Sequence, residues 1–485
     1  MKRLFLAFCV ALLVLVGVVG FRAVRFAPQR VEVPPAPAFT PGNGAPERLA
    51  EALRFPTVSR GDDQPRDSAA FAGLRAHLAA SFPLSHAAMT REIVGQDAIL
   101  FTWAGSDGSL PPVILMGHMD VVPVEPGTES KWKYPPFSGT IAEGAVWGRG
   151  AMDDKSTVLG IMEAAEGLLA RGFKPRRTVL LAFGADEEVG GRKGAVVIAN
   201  LLKSRGVKPA LVVDEGGMVV TGGFPGLTRP VAVVGIAEKG YLTLELAARG
   251  QGGHSSVPPA QTTAGILARA ITRLEDNPFP AEIRGATANL FDAVGRESPF
   301  AMRALFANRW LLDPVLKWKL ASIPRSNATI RTTTAVTMLE GSPKDNVLPS
   351  VAKARVNFRL LPGDTPEMVI DRVRRTIDDD RIGINRIGFV SVPSLESSIT
   401  DSAWFILDRS IRQGYPEAIV APYLVVGATD ARHFRELTQN VYRFAAMRAD
   451  TSDAARIHGT NERVSVDGYL EGIRFLAILI TNSTQ

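Results

Sequence analysis

One cysteine in 485 residues is the first constraint. Cys9 has no partner within its chain, so an intrachain disulfide is excluded. A zinc site built on several thiolates is excluded too. Any metal must be held by imidazoles and carboxylates. Histidine is also scarce, with six: His77, His86, His118, His254, His433 and His458. No dense basic tract with interleaved aromatics exists. The formal net charge of +6 is spread over interspersed Lys/Arg and Asp/Glu. That is a mixed solvated surface and gives no electrostatic footprint for nucleic acid. There is no internal repeat.

What is present suits a globular protein of two or three domains, with 46% hydrophobic and 21% charged residues. The chain opens with an uninterrupted apolar run, Leu4 to Phe21, between Lys2/Arg3 and Arg22/Arg25. The run reaches the lower limit for crossing a bilayer, exceeds a typical signal-peptide core, and no clean A-x-A site follows it. Residues 1–26 therefore read as an uncleaved signal anchor, with a cleaved signal peptide as the alternative. Either reading exports the body of the chain, as a membrane-anchored periplasmic or extracytoplasmic protein or a secreted one. Residues 27–46, "APQRVEVPPAPAFTPGNGAP", are Pro-rich and aperiodic, the composition of a semi-rigid spacer.

From there apolar runs alternate with helical spacing. "PVILMGHMD" closes on His118 and Asp120. "RTVLLAFGADEE" closes on Asp186, Glu187 and Glu188. "PALVVDEGG" closes on Asp214 and Glu215. Continuous apolar runs separated by helices predict parallel strands buried on both faces. In such sheets ligands gather at the carboxyl ends of the strands, where all three runs carry donors. After Val234 the texture changes. "YLTLELAARGQGG" and "VAKARVNFRLLPGD" alternate as half-exposed strands do. The expectation is an α/β catalytic domain with a mostly parallel central sheet flanked by helices, formed by 47–234 and 394–485. An α+β lid of the dimerisation type, 235–393, is inserted into it and contains the apolar helical stretch "FAMRALFANRWLLDPVLKWKL".

The polar residues assemble into one chemical proposition. "GHMDVV" supplies His118 and, two residues on, Asp120, which an extended chain places on the same side. A carboxylate there can accept the ring N–H of a metal-binding imidazole. "GRGAMDDKS" supplies Asp153 and Asp154. "ADEEVGG" supplies Glu187 and Glu188, "VVDEGG" supplies Asp214, and "IHGTNERV" supplies His458. Two imidazoles and three carboxylates suit two zinc ions with one carboxylate bridging, and leave one carboxylate as base. Three adjacent acids at 186–188 then have a purpose: Glu188 is neutralised by metal, Glu187 stands over the attacking water, and Asp186 completes the turn.

The order of GHMDVVP, WKYPPFSG, GRGAMDDKS, ADEEVGG, VVDEGG, GQGGHSSVPP and IHGTNERV resembles the M20 family of metallopeptidases. Within it, the resemblance is to the branch of carboxypeptidase S and the N-acyl-(aromatic-)amino-acid amidohydrolases. It spans about Ala50 to Leu479. It implies two Zn2+, with Co2+ or Mn2+ as substitutes. Asp153 would bridge them. His118 and Asp214 would complete one shell, Glu188 and His458 the other. Asp120 would orient His118, and Glu187 would be the general base. The preference for Asp153 over Asp154 rests on the motif, as does an expected non-proline cis peptide bond after Asp153. His254 would donate to the oxyanion, often across a homodimer. Asn346 and Arg359 match positions that hold the substrate carboxylate; Thr429, Asp430 and Arg432 are weaker candidates.

The implied reaction is hydrolysis of the amide N-terminal to a free amino-acid carboxylate, reversible where products are abundant. The partner is a small N-acyl amino acid or short peptide. A carboxypeptidase or dipeptidase acting on peptides is the alternative within the class. A non-catalytic binding protein on the same fold is the alternative outside it, and the complete ligand set with an intact Glu187 argues against that.

Overall fold

The computed structural model describes residues 1–28, 31–61, 64–454 and 456–485. Residues 29–30 of the Pro-rich segment lie outside that set. The site is positioned by strands Val113–His118, Val179–Gly184 and Leu211–Asp214, in which every residue is buried. They pair in parallel, with Val113–His118 in the middle. Their apolar side chains cover both faces, so helices must pack on both sides. Lys155–Ala170 does so and is buried along most of its length. Val466–Thr484 packs on it and on Ser402–Gly414.

Outside this parallel centre the sheet becomes mixed. Ala98–Trp103 and Thr90–Val94 add antiparallel on one side. On the other, Val441–Arg443 pairs in parallel with Leu211–Asp214, then meets Val231–Glu238 antiparallel. Ile419–Val425 joins Val231–Glu238 in parallel. The central sheet has ten strands among the described residues. Its parallel core holds the chemistry and its antiparallel pairs lie outside that core.

A second sheet of four antiparallel strands stands over the carboxyl ends of the first, in the order Thr333–Glu340, Val351–Leu360, Gly240–Arg249, Ile382–Ser391. Period-two alternation decides its two faces. Leu242, Leu244, Leu246, Ala354, Val356 and Phe358 pack beneath helices Thr263–Asp276 and Pro366–Ile377. Tyr241, Thr243, Glu245, Arg355, Asn357 and Arg359 take the opposite face, toward the catalytic sheet. Four helices between Gly285 and Ile330 form a separate small core around Ile283, Phe306, Leu316 and Ile330. The N-terminal helix Lys2–Arg25 is long and apolar enough to cross a membrane by length and composition. Its last turns pack on the helix Phe300–Ala307.

Candidate metal centre and active site

His118 ends its strand buried at the sheet's centre. Its Nδ1 lies 3.0 Å from the Asp120 carbonyl and 3.4 Å from Asp120 Oδ1. Those contacts leave Nε2 facing Asp153 Oδ1 at 2.9 Å and Glu215 Oε1 at 3.6 Å. The other oxygen of Asp153 lies 3.0 Å from His458 Nε2, and Glu188 Oε2 lies 3.2 Å from the same nitrogen. Asp153 therefore faces both imidazoles, one oxygen to each. The Asp153–Asp154 peptide bond is cis. Asp154 turns back toward the strand, its Oδ2 accepting the His118 amide at 3.2 Å.

Asp120 does more than touch His118. Its two oxygens accept the amides of Glu187 and Glu188, at 3.1 and 3.3 Å. One buried carboxylate thus holds the imidazole and the turn that carries both glutamates. Asp186 braces the turn from within. Its carbonyl accepts the Gly191 amide and its Oδ2 the Lys193 amide. Glycines flank this turn because Asp430 presses on it. A Cβ at Gly184 would sit 2.4 Å from one Asp430 oxygen, and a Cβ at Gly191 2.1 Å from the other.

Asp214 stands apart from the expected metal set. Its carboxylate accepts the Ala431 amide at 2.7 Å. Successive side chains of an extended chain point to opposite faces, so only one of Asp214 and Glu215 can look at His118. In this structure that residue is Glu215. Among the described residues two groupings have ligand atoms all within 4.8 Å of one another: His118–Asp153–Glu188 and His118–Asp154–Glu215.

The electrostatics ask for a cation. Burial pushes Glu187 well above the carboxylate range, and burial with the nearby Asp153 charge lifts Glu215 to about 8. Burial raises Glu188 as well. Asp153 is also buried, but His118 and His458 hold it below its ordinary value. Hydrogen bonds to Asp153 and Glu188 raise His458 to about 10. Glu188 Oε1 and Asp154 Oδ1 are buried without a hydrogen-bond partner. Unpaired buried carboxylate oxygens are costly, and a divalent ion satisfies them. An all-oxygen and imidazole donor set suits zinc, cobalt or manganese.

The site opens into a cleft of about 1070 Å3 between the two sheets, lined on one side by Glu187, Glu188 and His458. Arg359 and Arg355 face them from the upper sheet, with Arg192 and Arg432 at the edge. Arg359 stacks its guanidinium 4.7 Å from the Tyr241 ring centre, and burial lowers its pKa. Tyr241, Met338, Ile387 and Phe389 give the cleft an apolar wall.

His254 and Asn346 do not reach this cleft in their own chain. They lie at a ribbon formed by Gly253–His254 and Val347–Leu348, beyond the ends of the upper sheet's strands. His254 is exposed, with Ser256 bonded to its Nδ1, and Asn346 is exposed beside it, its carbonyl accepting the Ser255 amide. Of the weaker candidates, Arg432 lines the cleft and Thr429 donates to Glu238. His77, His86 and His433 contact the carbonyls of Arg48, Phe82 and Gly190.

Sequence reasoning passed over Glu462. Its Oε1 accepts the amides of Gly150, Met152 and Asp153, and its Oε2 pairs with Arg149 at 2.6 Å. Arg149 in turn donates to the His458 carbonyl. This buried pair ties the loop bearing Asp153 to the loop bearing His458. Its signal was present, since Glu462 lies four residues after His458 within the same motif.

Imidazoles bracketed by carboxylates, beside a spare acid at a cleft wall, define a metal-dependent hydrolase. The chain belongs to the peptidase family M20/M25/M40, whose model matches residues 114–482. It is 40% identical over 443 residues to probable carboxypeptidase S-like 2 of Dictyostelium discoideum, covering 90% of this chain and 85% of that one. It is 40% identical over 440 residues to N-fatty-acyl-amino acid synthase/hydrolase PM20D1 of Xenopus tropicalis, with the same coverage. The solved structure of an M20 family metallo-carboxypeptidase from Sulfolobus solfataricus shares the fold, with a TM-score of 0.65 at 21% identity over 91% of this chain and all of that one. The chain is therefore an enzyme of this metallopeptidase and amidohydrolase family.

Proposed function

We propose that the enzyme hydrolyses the amide between an acyl group and an amino acid with a free carboxylate, using two zinc ions. The observation that carries this reading is one cleft with Glu187 and His458 on one wall and Arg359 among apolar side chains on the other. The likeness to a fatty-acyl-amino acid synthase/hydrolase supports the acyl substrate, and that to carboxypeptidase S supports a peptide as the second reading.

Asp153 would bridge the ions, His118 and Glu215 would complete one shell, and Glu188 and His458 the other. Zinc held there supplies Lewis acidity toward the amide carbonyl and makes water acidic near neutral pH. Arg359 receives the substrate carboxylate, for which its planar fork is suited. Glu187 removes a proton from the attacking water as its oxygen bonds to the carbonyl carbon. The C–N bond then breaks, and Glu187 delivers that proton to the departing amine. The products are a carboxylic acid and a free amino acid, and reversal of the same steps is condensation. Asp120 holds Glu187 in place through its amide. His254 serves the oxyanion of a second copy, because its ribbon lies outside its own cleft. The N-terminal helix anchors an exported body, or is removed from a secreted one.

The test is full-length, zinc-loaded protein in detergent on N-acetyl amino acids, long-chain N-acyl amino acids and dipeptides, with release of free amino acid followed by mass spectrometry. Long-chain turnover that disappears in Glu187→Ala is expected. Dipeptide turnover alone moves the assignment to a peptidase.

A further inference from the structure

The helix Arg309–Ala321 presents an apolar face that none of the described residues covers. Trp310 is 59% exposed, Val315 56% and Trp318 73%, values usual for charged side chains. At 3.6 residues per turn, Trp310, Leu311, Pro314, Val315 and Trp318 fall within an arc of roughly 140°. All five are exposed. Lys317 and Lys319 stand just outside the two edges of that arc. The opposite side carries Leu316, which is buried in the small core. From Phe300 to Arg331 the basic residues are Arg303, Arg309, Lys317, Lys319, Arg325 and Arg331, and Asp313 is the single acid. Tryptophan on an apolar stripe edged by lysine is the composition of a helix lying in a membrane interface. The excess positive charge suits anionic lipid.

The position of this helix beside the N-terminal one selects that partner. Arg22 Nε donates to the Ala307 carbonyl at 3.1 Å. Asn308 Nδ2 donates to the Val19 carbonyl at 3.1 Å, and Asn308 Oδ1 accepts from Trp310 Nε1 at 3.3 Å. Val19 precedes the end of the apolar run by two residues, about 3 Å along a helix. The exposed helix thus begins at the depth where the run of Lys2–Arg25 meets water.

We infer that Arg309–Ala321 docks in the surface of an anionic bilayer, a second membrane contact that fixes the body's tilt over the membrane in which Lys2–Arg25 is inserted. The inference rests on that helix crossing the bilayer, and the test separates the two. Full-length protein is reconstituted in vesicles of phosphatidylcholine and phosphatidylglycerol, with and without brominated acyl chains, and floated on a density gradient. Of the six tryptophans, Trp103, Trp132, Trp147 and Trp404 are buried, so bromine quenching reads Trp310 and Trp318. The expected result is flotation, with loss of about half or more of the accessible emission when the chains are brominated. That loss should vanish in Trp310→Phe/Trp318→Phe, which still floats, and shrink in Lys317→Glu/Lys319→Glu. Flotation with emission quenched by aqueous iodide instead overturns the docking and leaves the anchor standing. Emission shielded from both quenchers marks a contact between copies and also overturns it. Loss of flotation overturns both readings.

Discussion

Glu215 and Asp214 are adjacent acids, and replacing each separates a ligand from a structural carboxylate. Glu215 lies 3.6 Å from His118 Nε2, the nitrogen that also faces Asp153, while Asp214 is committed to the Ala431 amide. Residues that only orient a ligand cost about 10–100-fold in metal affinity when lost. A direct ligand must cost more, so Glu215→Gln should weaken binding of one zinc by more than about 100-fold, or about 2.7 kcal/mol. Asp214→Asn keeps an oxygen to accept the Ala431 amide and removes one charge. Its loss is about that of exchanging a charge-assisted hydrogen bond for a neutral one, on the order of 1 kcal/mol. That predicts less than about a tenfold change in zinc affinity. The assay is competition with a chromophoric chelator, with total zinc counted by mass spectrometry and thermal unfolding followed in parallel. If Asp214→Asn loses a zinc while Glu215→Gln keeps two, the ligand assignment is wrong and the motif-based choice of Asp214 is right.

Asp120→Asn leaves one oxygen for two amides, so one of Glu187 and Glu188 loses its partner; kcat should fall about 10- to 100-fold from a cost of about 1–3 kcal/mol, with zinc content near normal by metal analysis. Arg359→Lys keeps the charge but loses the fork, so KM for carboxylate-bearing substrates should rise more than kcat falls, read from initial rates. In the metal-free protein His458 keeps its proton up to about pH 10 and Glu215 up to about 8. Loading the two zinc sites displaces one of these protons at each, so the overall affinity for the pair of ions should rise by about two decades per pH unit between 6 and 8 in chelator titrations, and a slope near zero would contradict it. The same raised His458 stabilises the metal-free fold fully below its ordinary pKa of 6.5, and that contribution is gone above about 10.

The sheet's parallel centre was legible because burial on both faces leaves unbroken apolar runs, and the position of their closing acids follows from strand direction. The cleft face of the upper sheet was legible for the same kind of reason: in "VNFRLL" alternation places Asn357 and Arg359 opposite Val356, Phe358 and Leu360. What one-dimensional reading could not supply was rotation at a strand's end. "VVDEGG" offers two acids one residue apart, and the side that faces His118 depends on the pairing of Leu211–Asp214 with Val441–Arg443, a strand more than two hundred residues away. For His254 the motif fixes a turn and the resemblance implies a role across a homodimer, while the turn's distance from its own cleft is set by the length of the strands Gly240–Arg249 and Val351–Leu360 that carry it outward.

Glu462 shows where such errors concentrate. It has no metal to hold, so chemistry gives no reason to look for it, yet three backbone amides and one arginine converge on its carboxylate. Burial raises its pKa against the pull of Arg149, so this carboxylate depends on every one of those donors. Removing one acceptor oxygen leaves buried amides unsatisfied in the loop that carries Asp153. The segments bearing Asp153 and His458, far apart in sequence, keep their register through that residue. A reading that collects ligands finds the metal centre; a reading that asks where each buried amide donates also finds what holds the ligands in place.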